Sequence, residues 1–353
     1  MSAPVLVTGG AGFIGSAIVD QLLASGREVR VLDSLHPDAH AGRPGYLNSA
    51  ADYRWGDVGD PEAVGAAVDG VEAVCHQAAM VGLGLEIADI TKYVRDNSMG
   101  TATLLRALAE REFRGRIVLA SSMVVYGEGG YECPDHGRVA PGPRRTESLD
   151  AGEFEPPCPV CGRPLRAVAV GEDAAPDPRN VYAATKLEQE HLCATYAREL
   201  GTTSTALRYH NVYGPRMPRD TPYAGVASIF RSSLAAGRAP RVFEDGEQIR
   251  DFINVADVAR ANVLALGAAE PYDGPLNVAS GTPRTVGDMA RALAASMDGP
   301  EPEVTGDYRL GDVRHVFASP DRARAELGFG AEIALEQGVE EFATAPLRDP
   351  ASA

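Results

Sequence analysis

The chain has 353 residues, of which 44% are apolar and 23% are charged, and its formal net charge is −16 at pH 7. This length allows one large α/β unit with a smaller lobe. The acidic balance argues against a broad surface for nucleic acid or anionic membranes. No apolar run approaches the roughly 18 residues of a membrane-spanning helix, and the N-terminus lacks the basic region of a signal peptide. The composition therefore predicts a soluble, cytoplasmic protein and is compatible with an anionic small-molecule ligand held by a few local arginines.

The first half of the chain alternates short β-rich runs with helical patterns. In chain order the sequence predicts a strand over 4–8, a helix over 16–25, strands over 28–33, 53–57 and 72–78, a helix over 89–113 and a strand over 116–121. Alternation of this kind predicts βαβ units and a doubly wound parallel sheet of the Rossmann type. After an irregular stretch over 127–178, a helix over 181–200, a strand over 205–212 and a helix over 226–236 are expected.

A glycine-rich loop joins the first predicted strand to the first helix. Its glycines, Gly9, Gly12 and Gly15, follow the spacing GxxGxxG, with Phe13 and Ile14 between the last two. The first glycine permits a tight turn, the second lets the backbone approach a pyrophosphate, and the third permits close helix packing. The N–H groups and the dipole at the start of the helix then attract phosphate. The loop predicts a dinucleotide site.

Asp33 ends the second predicted strand, where a carboxylate accepts hydrogen bonds from the adenosine ribose. The same charge repels a 2′-phosphate, which favours NAD over NADP. The alternative is that Asp33 only caps a turn. Asp57 and Val58, after the third strand, are placed to bracket the adenine.

A tyrosine and a lysine, Tyr182 and Lys186, lie four residues apart on one face of a predicted helix. An ammonium group near a phenol favours the phenolate and so prepares a general base. Ser122 ends the fifth strand, at the sheet edge where such folds bind ligands. These three residues are the predicted catalytic set, with Tyr182 and Lys186 also facing the cofactor. Each feature alone has a non-catalytic alternative: a YxxxK match often occurs by chance, and a serine at a strand end often hydrogen-bonds local backbone groups.

Several motifs in order resemble the extended short-chain dehydrogenase/reductase superfamily, specifically its nucleotide-sugar epimerases and dehydratases. They are TGGAGFIGS at 8–16, HQAA at 76–79, SSMVVYG at 121–127, YAATK at 182–186, LRYHNVYGPR at 207–216 and RDFINVADVARA at 250–261. The resemblance implies an NAD-binding Rossmann domain over 1–214, carrying the insertion 127–178. It also implies a smaller α+β substrate lobe over 215–353, with the chain crossing between the lobes.

The resemblance also assigns site residues. It places Ala78, Ala79 and Tyr209 against the cofactor. It implies that the nucleotide diphosphate is held by Asn211, Arg250 and Arg314, since a guanidinium binds phosphate oxygens bidentately. A structural salt bridge is the alternative for each arginine. It also implies a homodimer formed by the helices over 89–113 and 181–200.

The tripeptide beginning at Ser122 separates reactions within the superfamily. Related 4,6-dehydratases carry Thr-Asp-Glu there, whereas this chain has Ser122-Met123-Val124, whose last two side chains cannot transfer protons. The pattern implies a 4-epimerase that oxidises the sugar at C4 and reduces it again with bound NAD. A 4-ketoreductase or dehydrogenase, and a dinucleotide-binding protein without catalysis, are the alternatives. The stretches 223–230 and 242–246, with the cysteine-bearing insertion, resemble the dTDP-L-rhamnose 4-epimerase branch. UDP-glucose and UDP-glucuronate are alternative substrates.

Three of the five cysteines lie inside the insertion. Cys133 and His136 form a CxxH pair, and Cys158 and Cys161 form a CxxC pair. Three thiolates and one imidazole complete a tetrahedral zinc site of the structural kind. Such an ion would organise a segment of a length that is uncommon without secondary structure. The alternatives are loop thiols without metal or, less consistent with the context, a redox pair.

Overall fold

The computed structural model describes residues 3–82, 87–219 and 225–348. Its strands are β1 Val5–Thr8, β2 Val29–Asp33, β3 Asp52–Trp55, β4 Ala73–His76, β5 Arg116–Ser122, β6 Gly130–Cys133, β7 Gly137–Val139, β8 Arg166–Val168, β9 Ser204–Tyr209, β10 Asn211–Tyr213, β11 Arg241–Val242, β12 Ile249–Asn254, β13 Gly274–Val278, β14 Pro283–Thr285 and β15 Glu303–Val304. Its α-helices are α1 Phe13–Ala24, α2 Pro61–Ala67, α3 Ile90–Tyr93, α4 Gly100–Glu110, α5 Thr146–Asp150, α6 Val181–Leu200, α7 Val226–Ala235, α8 Val255–Gly267, α9 Val286–Ser296, α10 Asp321–Leu327 and α11 Leu335–Thr344.

The main sheet has seven strands in the order β13-β9-β5-β4-β1-β2-β3, and every pairing in it is parallel. The predicted doubly wound sheet is therefore confirmed. The strand order reverses between β1 and β4, and folds of this type bind ligands outside the carboxyl ends of the strands at that point. The glycine loop follows β1 and therefore lies at this point.

Both faces of the main sheet are covered by helices. On one face the apolar side chains of β1, β2, β5 and β9 pack with those of α1 and α8. On the other face they pack with side chains of α2, α4 and α6. All four residues of β1 are buried, as expected for a parallel strand that is covered on both sides.

The second half of the chain crosses between the main sheet and a smaller lobe. The lobe contains the three-stranded sheet β10-β12-β14, the pair β11-β15 and a separate core formed largely by α7, α9 and α11. Between these elements, α8 and β13 return to the main sheet. Tyr223 and Ala224, part of the stretch that resembles the rhamnose epimerase branch, lie outside the described residues.

The insertion over 127–178 forms a three-stranded antiparallel sheet in the order β7-β6-β8. Its strands have only three or four residues, too few for an alternating pattern to appear in the sequence. Among helices of the described residues, none combines the length and apolar character needed to cross a bilayer.

A buried ion pair holds α6 against β9, and a serine at the end of β5 joins it. The guanidinium of Arg208 donates to both carboxylate oxygens of Glu190, at 2.9 and 2.7 Å, and the Ser121 hydroxyl donates to the same carboxylate. The side chains of the arginine and the glutamate are 4% and 9% exposed. Because β5 carries Ser122 and α6 carries Tyr182, this pair helps to set their separation.

We predict that Arg208→Met lowers the free energy of unfolding by about 3–5 kcal/mol, because it leaves the Glu190 carboxylate buried without its counter-charge. Urea unfolding followed by circular dichroism measures this loss. Arg106→Met is the matched control, since Arg106 pairs with Glu110 on an exposed helix face and contributes little. Equal losses in the two variants would contradict the role given to the buried pair.

Candidate active site

Two of the three loop glycines are required by close backbone contacts. A Cβ on Gly15 would lie 2.1 Å from the carbonyl oxygen of Gly9, and a Cβ on Gly9 would lie 2.8 Å from the backbone nitrogen of Ala78. Gly9 also has a φ of +69°, which favours glycine. A Cβ on Gly12 would meet only the Gly9 oxygen at 3.2 Å and Nη1 of Arg348 at 3.9 Å. Gly12, the N-cap of α1, therefore borders the open side of the loop, with a cation nearby.

The Asp33 carboxylate is buried and held by two backbone N–H groups. Ala11 donates to Oδ2 at 2.9 Å, and Leu35 donates to Oδ1 at 2.8 Å. Each oxygen keeps a further lone pair, so the carboxylate can accept bonds from ribose hydroxyls. Asp57 is exposed and accepts the Gly59 N–H at 2.6 Å, whereas Val58 is buried.

The remaining predicted cofactor residues lie around the ends of β1, β4 and β9. The Thr8 hydroxyl accepts the N–H of Ala78 at 3.1 Å, and Ala79 follows it, half-buried. Tyr209 is buried, and its hydroxyl lies 2.9 Å from Oδ1 of Asn262. Phe13 and Ile14 begin α1 and are also half-buried. With Asp33 and the open face at Gly12, these residues fit a bound dinucleotide.

The three predicted catalytic residues lie together. Tyr182 is the second residue of α6, whose N-cap Asn180 accepts the N–H of Ala183 at 2.8 Å. The Ser122 hydroxyl lies close enough to the Tyr182 hydroxyl to affect its pKa. Lys186 donates from Nζ to the Ala120 carbonyl at 2.9 Å, and Nζ lies 5.9 Å from the centroid of the Tyr182 ring. β5 and α6 thus bring the hydroxyls of Ser122 and Tyr182 close to the ammonium group of Lys186.

Burial governs the pKa values of the tyrosine and the lysine. It raises the pKa of Tyr182 to about 12, against a lowering effect of the hydrogen bond with Ser122. It lowers the pKa of Lys186 to about 8. The sequence predicted a tyrosine pKa lowered by the lysine, but in this arrangement the ammonium is directed at the Ala120 carbonyl and desolvation is the larger effect.

The residues predicted to hold the diphosphate differ in whether their polar atoms already have hydrogen-bond partners. Asn211 begins β10, and its buried Oδ1 has no hydrogen-bond partner in the described part of the chain, so it is available to a ligand. Arg250 donates to the backbone carbonyls of Val313 and Arg314. These bonds hold the segment that carries Arg314.

Four of the five N–H donors of Arg314 make hydrogen bonds to carboxylates within the protein. They bind Glu155, Glu244 and Asp245 at 2.7–2.9 Å, and the side chain is 1% exposed. The structure therefore matches the salt-bridge alternative for this residue. A diphosphate could contact Arg314 only after displacing a carboxylate, of which Glu155 and Asp245 are the half-exposed ones.

Asn97 lies on the helix that the family resemblance places near the active site, although no role was predicted for it. It is fully buried, donates to the Met80 carbonyl and the Thr185 hydroxyl at 3.0 Å, and accepts the Met80 N–H at 2.7 Å. It lies in a π-helical turn, Val94–Met99, between α3 and α4. Such turns are frequent at functional sites, but they leave no sequence pattern.

We predict that Gly12→Ala and Gly15→Ala separate cofactor binding from folding. Gly12→Ala should keep a melting temperature near that of the unchanged protein and lose NAD affinity about tenfold, a change of about 1.4 kcal/mol, because its methyl enters the open face of the loop. Gly15→Ala should lower the melting temperature, because its methyl meets backbone. Calorimetry with added NAD and thermal melting measure both. Unchanged NAD affinity in Gly12→Ala would mean that the pyrophosphate does not pass over this glycine.

Sequence and structure comparisons agree with this geometry. The model of the "NAD dependent epimerase/dehydratase family" matches residues 5–156 and 159–279. A dTDP-L-rhamnose 4-epimerase of Burkholderia thailandensis is 35% identical over 345 residues, covering 96% of this chain and 94% of that protein. The crystal structure of Thermus thermophilus UDP-glucose 4-epimerase with NAD has a TM-score of 0.76 and 29% identity, covering 96% and 97% of the two chains. A UDP-N-acetylglucosamine 4-epimerase of Methanobrevibacter ruminantium has a TM-score of 0.78 and 26% identity, with 97% coverage of both chains. The chain belongs to the NAD-dependent epimerase/dehydratase family.

Proposed function

We propose that dTDP-L-rhamnose is the substrate on which this chain acts as an NAD-dependent nucleotide-sugar 4-epimerase, with a dTDP-6-deoxy-L-talose as product. The observation that carries the reaction is the grouping of Tyr182, Ser122 and Lys186 at the carboxyl edge of the sheet, with Nζ of Lys186 5.9 Å from the Tyr182 ring centroid. These three residues support oxidation of the C4 hydroxyl to a ketone and reduction of that ketone on its other face.

In the proposed mechanism Tyr182 accepts the proton of the C4 hydroxyl and Ser122 hydrogen-bonds the same oxygen. NAD, when bound, would supply the acceptor and donor of the C4 hydride, and inversion requires the 4-keto sugar to turn its other face towards it. Tyr182 then gives the proton back to the new C4 oxygen. The charge of Lys186 favours the phenolate, while its bond to the Ala120 carbonyl fixes its position.

The residues after Ser122 support epimerisation over elimination of water. Met123 and Val124 form a short 3-10 turn, Met123–Tyr126, in which neither side chain can donate or accept a proton. Dehydration at C5 and C6 needs an acid and a base at such positions. The simpler exchange of one proton and one hydride needs only Tyr182, Ser122 and Lys186.

The choice of dTDP-L-rhamnose is supported by the 35% identity over nearly the full length of the Burkholderia enzyme. UDP-glucose is the second candidate, because a Mycolicibacterium smegmatis UDP-glucose 4-epimerase is 30% identical over 340 residues. A 4-ketoreductase or dehydrogenase differs from both because it uses or forms one NADH for each sugar converted.

We also propose that the enzyme is a cytoplasmic homodimer. The outer side of α3 and of the turn that follows it exposes Ile90, Val94 and Met99 by 44%, 44% and 58%. A cluster of exposed apolar side chains on the helix expected at the dimer interface supports this assembly.

We predict that protein purified without added cofactor converts dTDP-L-rhamnose, and neither UDP-glucose nor UDP-glucuronate, in separate proton NMR experiments. Inversion at C4 changes the ring couplings. Conversion of UDP-glucose instead would contradict the substrate and leave the reaction class intact. Conversion that consumes added NAD and releases one NADH for each sugar would favour the dehydrogenase.

We predict that Tyr182→Phe lowers turnover by about 10²–10⁴-fold, the usual contribution of a positioned general base, while bound NAD is retained. Stopped assays by NMR and the ultraviolet spectrum of the purified variant measure the two properties. Tyr196→Phe is the control: it lies on the same helix, far from Ser122, and loses only a 3.3 Å bond to the Phe113 carbonyl. Turnover that persists in Tyr182→Phe would contradict the assignment of the base.

A further inference from the structure

The insertion contains two turns of the same design. One is Cys133-Pro-Asp-His136-Gly137 and the other is Cys158-Pro-Val-Cys161-Gly162, so each reads Cys-Pro-X-ligand-Gly. The two glycines have φ values of +66° and +72°, which allow the chain to reverse directly after the second ligand. Cys133 pairs with Gly137 in the hairpin β6–β7, and Cys158 donates its N–H to the Arg163 carbonyl at 2.8 Å. Both turns therefore present two ligand atoms to the same side.

The four ligand atoms have the separations of a tetrahedral metal site. Sγ of Cys133 lies 3.7 Å from Sγ of Cys161 and 3.3 Å from Nδ1 of His136, and Sγ of Cys158 lies 3.8 Å from the same nitrogen. All four atoms lie within 4.8 Å of one another. Zn–S bonds of about 2.3 Å and Zn–N bonds of about 2.0 Å at tetrahedral angles require S···S near 3.8 Å and S···N near 3.5 Å.

A disulfide does not account for this arrangement. The sulfurs of Cys133 and Cys161 are 3.7 Å apart, whereas a disulfide bond is about 2.05 Å long. All five cysteines of the chain are free thiols. A separation of 3.7 Å is instead close to that of two thiolates that share one tetrahedral zinc ion.

We propose that Cys133, His136, Cys158 and Cys161 bind one structural zinc ion, which holds the insertion on the substrate lobe. Three cysteines enter as thiolates after loss of their protons, and the imidazole binds through Nδ1. Four protein ligands leave no open position, so the ion takes no part in the reaction.

The insertion has little else to hold it together. Its own core contains Tyr131 and Leu165 besides two of the ligand cysteines, with Val139 and Ala167 packed partly against them. Its three strands have three or four residues each, and strands this short are marginal without further support. Metal coordination commonly replaces a missing core in units of this kind.

Two residues close in sequence to the zinc ligands contact Arg314 and the residue that follows it, His315. Tyr131, two residues before Cys133, accepts the N–H of His315 at 3.1 Å. Glu155, three residues before Cys158, binds both Arg314 and His315. The ion thus fixes the distance between Tyr131 and Glu155, the two residues through which the insertion contacts the segment around Arg314.

The test is metal analysis of the complete protein, grown without added metal and desalted. We expect one zinc per chain by plasma mass spectrometry, at least a tenfold lower content in Cys158→Ser and Cys161→Ser, and full content in Cys193→Ser, whose thiol lies in the main core. Protein with less than a tenth of an equivalent of zinc would overturn the proposal, and so would full content in both ligand variants.

Because a ligand variant can misfold, a second measurement uses the unchanged chain. Protein produced with cobalt should show the intense visible bands and the thiolate charge-transfer band of tetrahedral Co²⁺, and these should disappear when zinc is added. Removing the metal with a chelator should speed trypsin cleavage within 127–178 while bound NAD is retained. A cobalt spectrum without thiolate bands, or cleavage unaffected by metal removal, would contradict the proposal. Neither readout depends on which sugar the enzyme converts.

Discussion

Lys186 donates to the Ala120 carbonyl from the interior of the protein, and this bond joins α6, which carries Tyr182, to β5, which carries Ser122. Burial lowers the lysine pKa to about 8, so the charged form is costly to keep there. One turn further along α6, the Arg208–Glu190 pair ties that helix to β9, and the Ser121 hydroxyl of β5 donates to the same carboxylate. These buried polar contacts hold α6 and β5 in one relative position, and that position brings Tyr182 close to Ser122.

A second buried charge cluster links the insertion to the smaller lobe. Glu244 is 2% exposed and lies between Arg144 of the insertion, at 2.7 Å, and Arg314, at 2.9 Å. Its φ of +54° is a backbone conformation that is unfavourable for a side chain of this size, and the two ion pairs offset that strain. Each member depends on the others, since a carboxylate or guanidinium left alone at this depth is strongly destabilising. The insertion is therefore part of the lobe's structure.

The sequence was informative where the chemistry depends on local spacing. The glycine loop, the Tyr182–Lys186 pair and the helix over 181–200 follow from patterns within a few residues, and the structure has them as predicted. The π-helical turn at Asn97 and the short strands of the insertion carry no periodicity and were missed. The partners of Arg314 lie 69–159 residues away in the chain, so the resemblance to diphosphate-binding arginines could not reveal that they occupy its donors.

The most direct test of transient oxidation at C4 is the fate of the hydrogen on that carbon. dTDP-L-rhamnose carrying deuterium at C4 should give a product that keeps the label at C4, in ordinary water and in the presence of excess unlabelled NADH, because one tightly held cofactor removes and returns the same hydride. Mass spectrometry and proton NMR measure the retained label. Loss of deuterium to water or to the NADH pool would contradict the account.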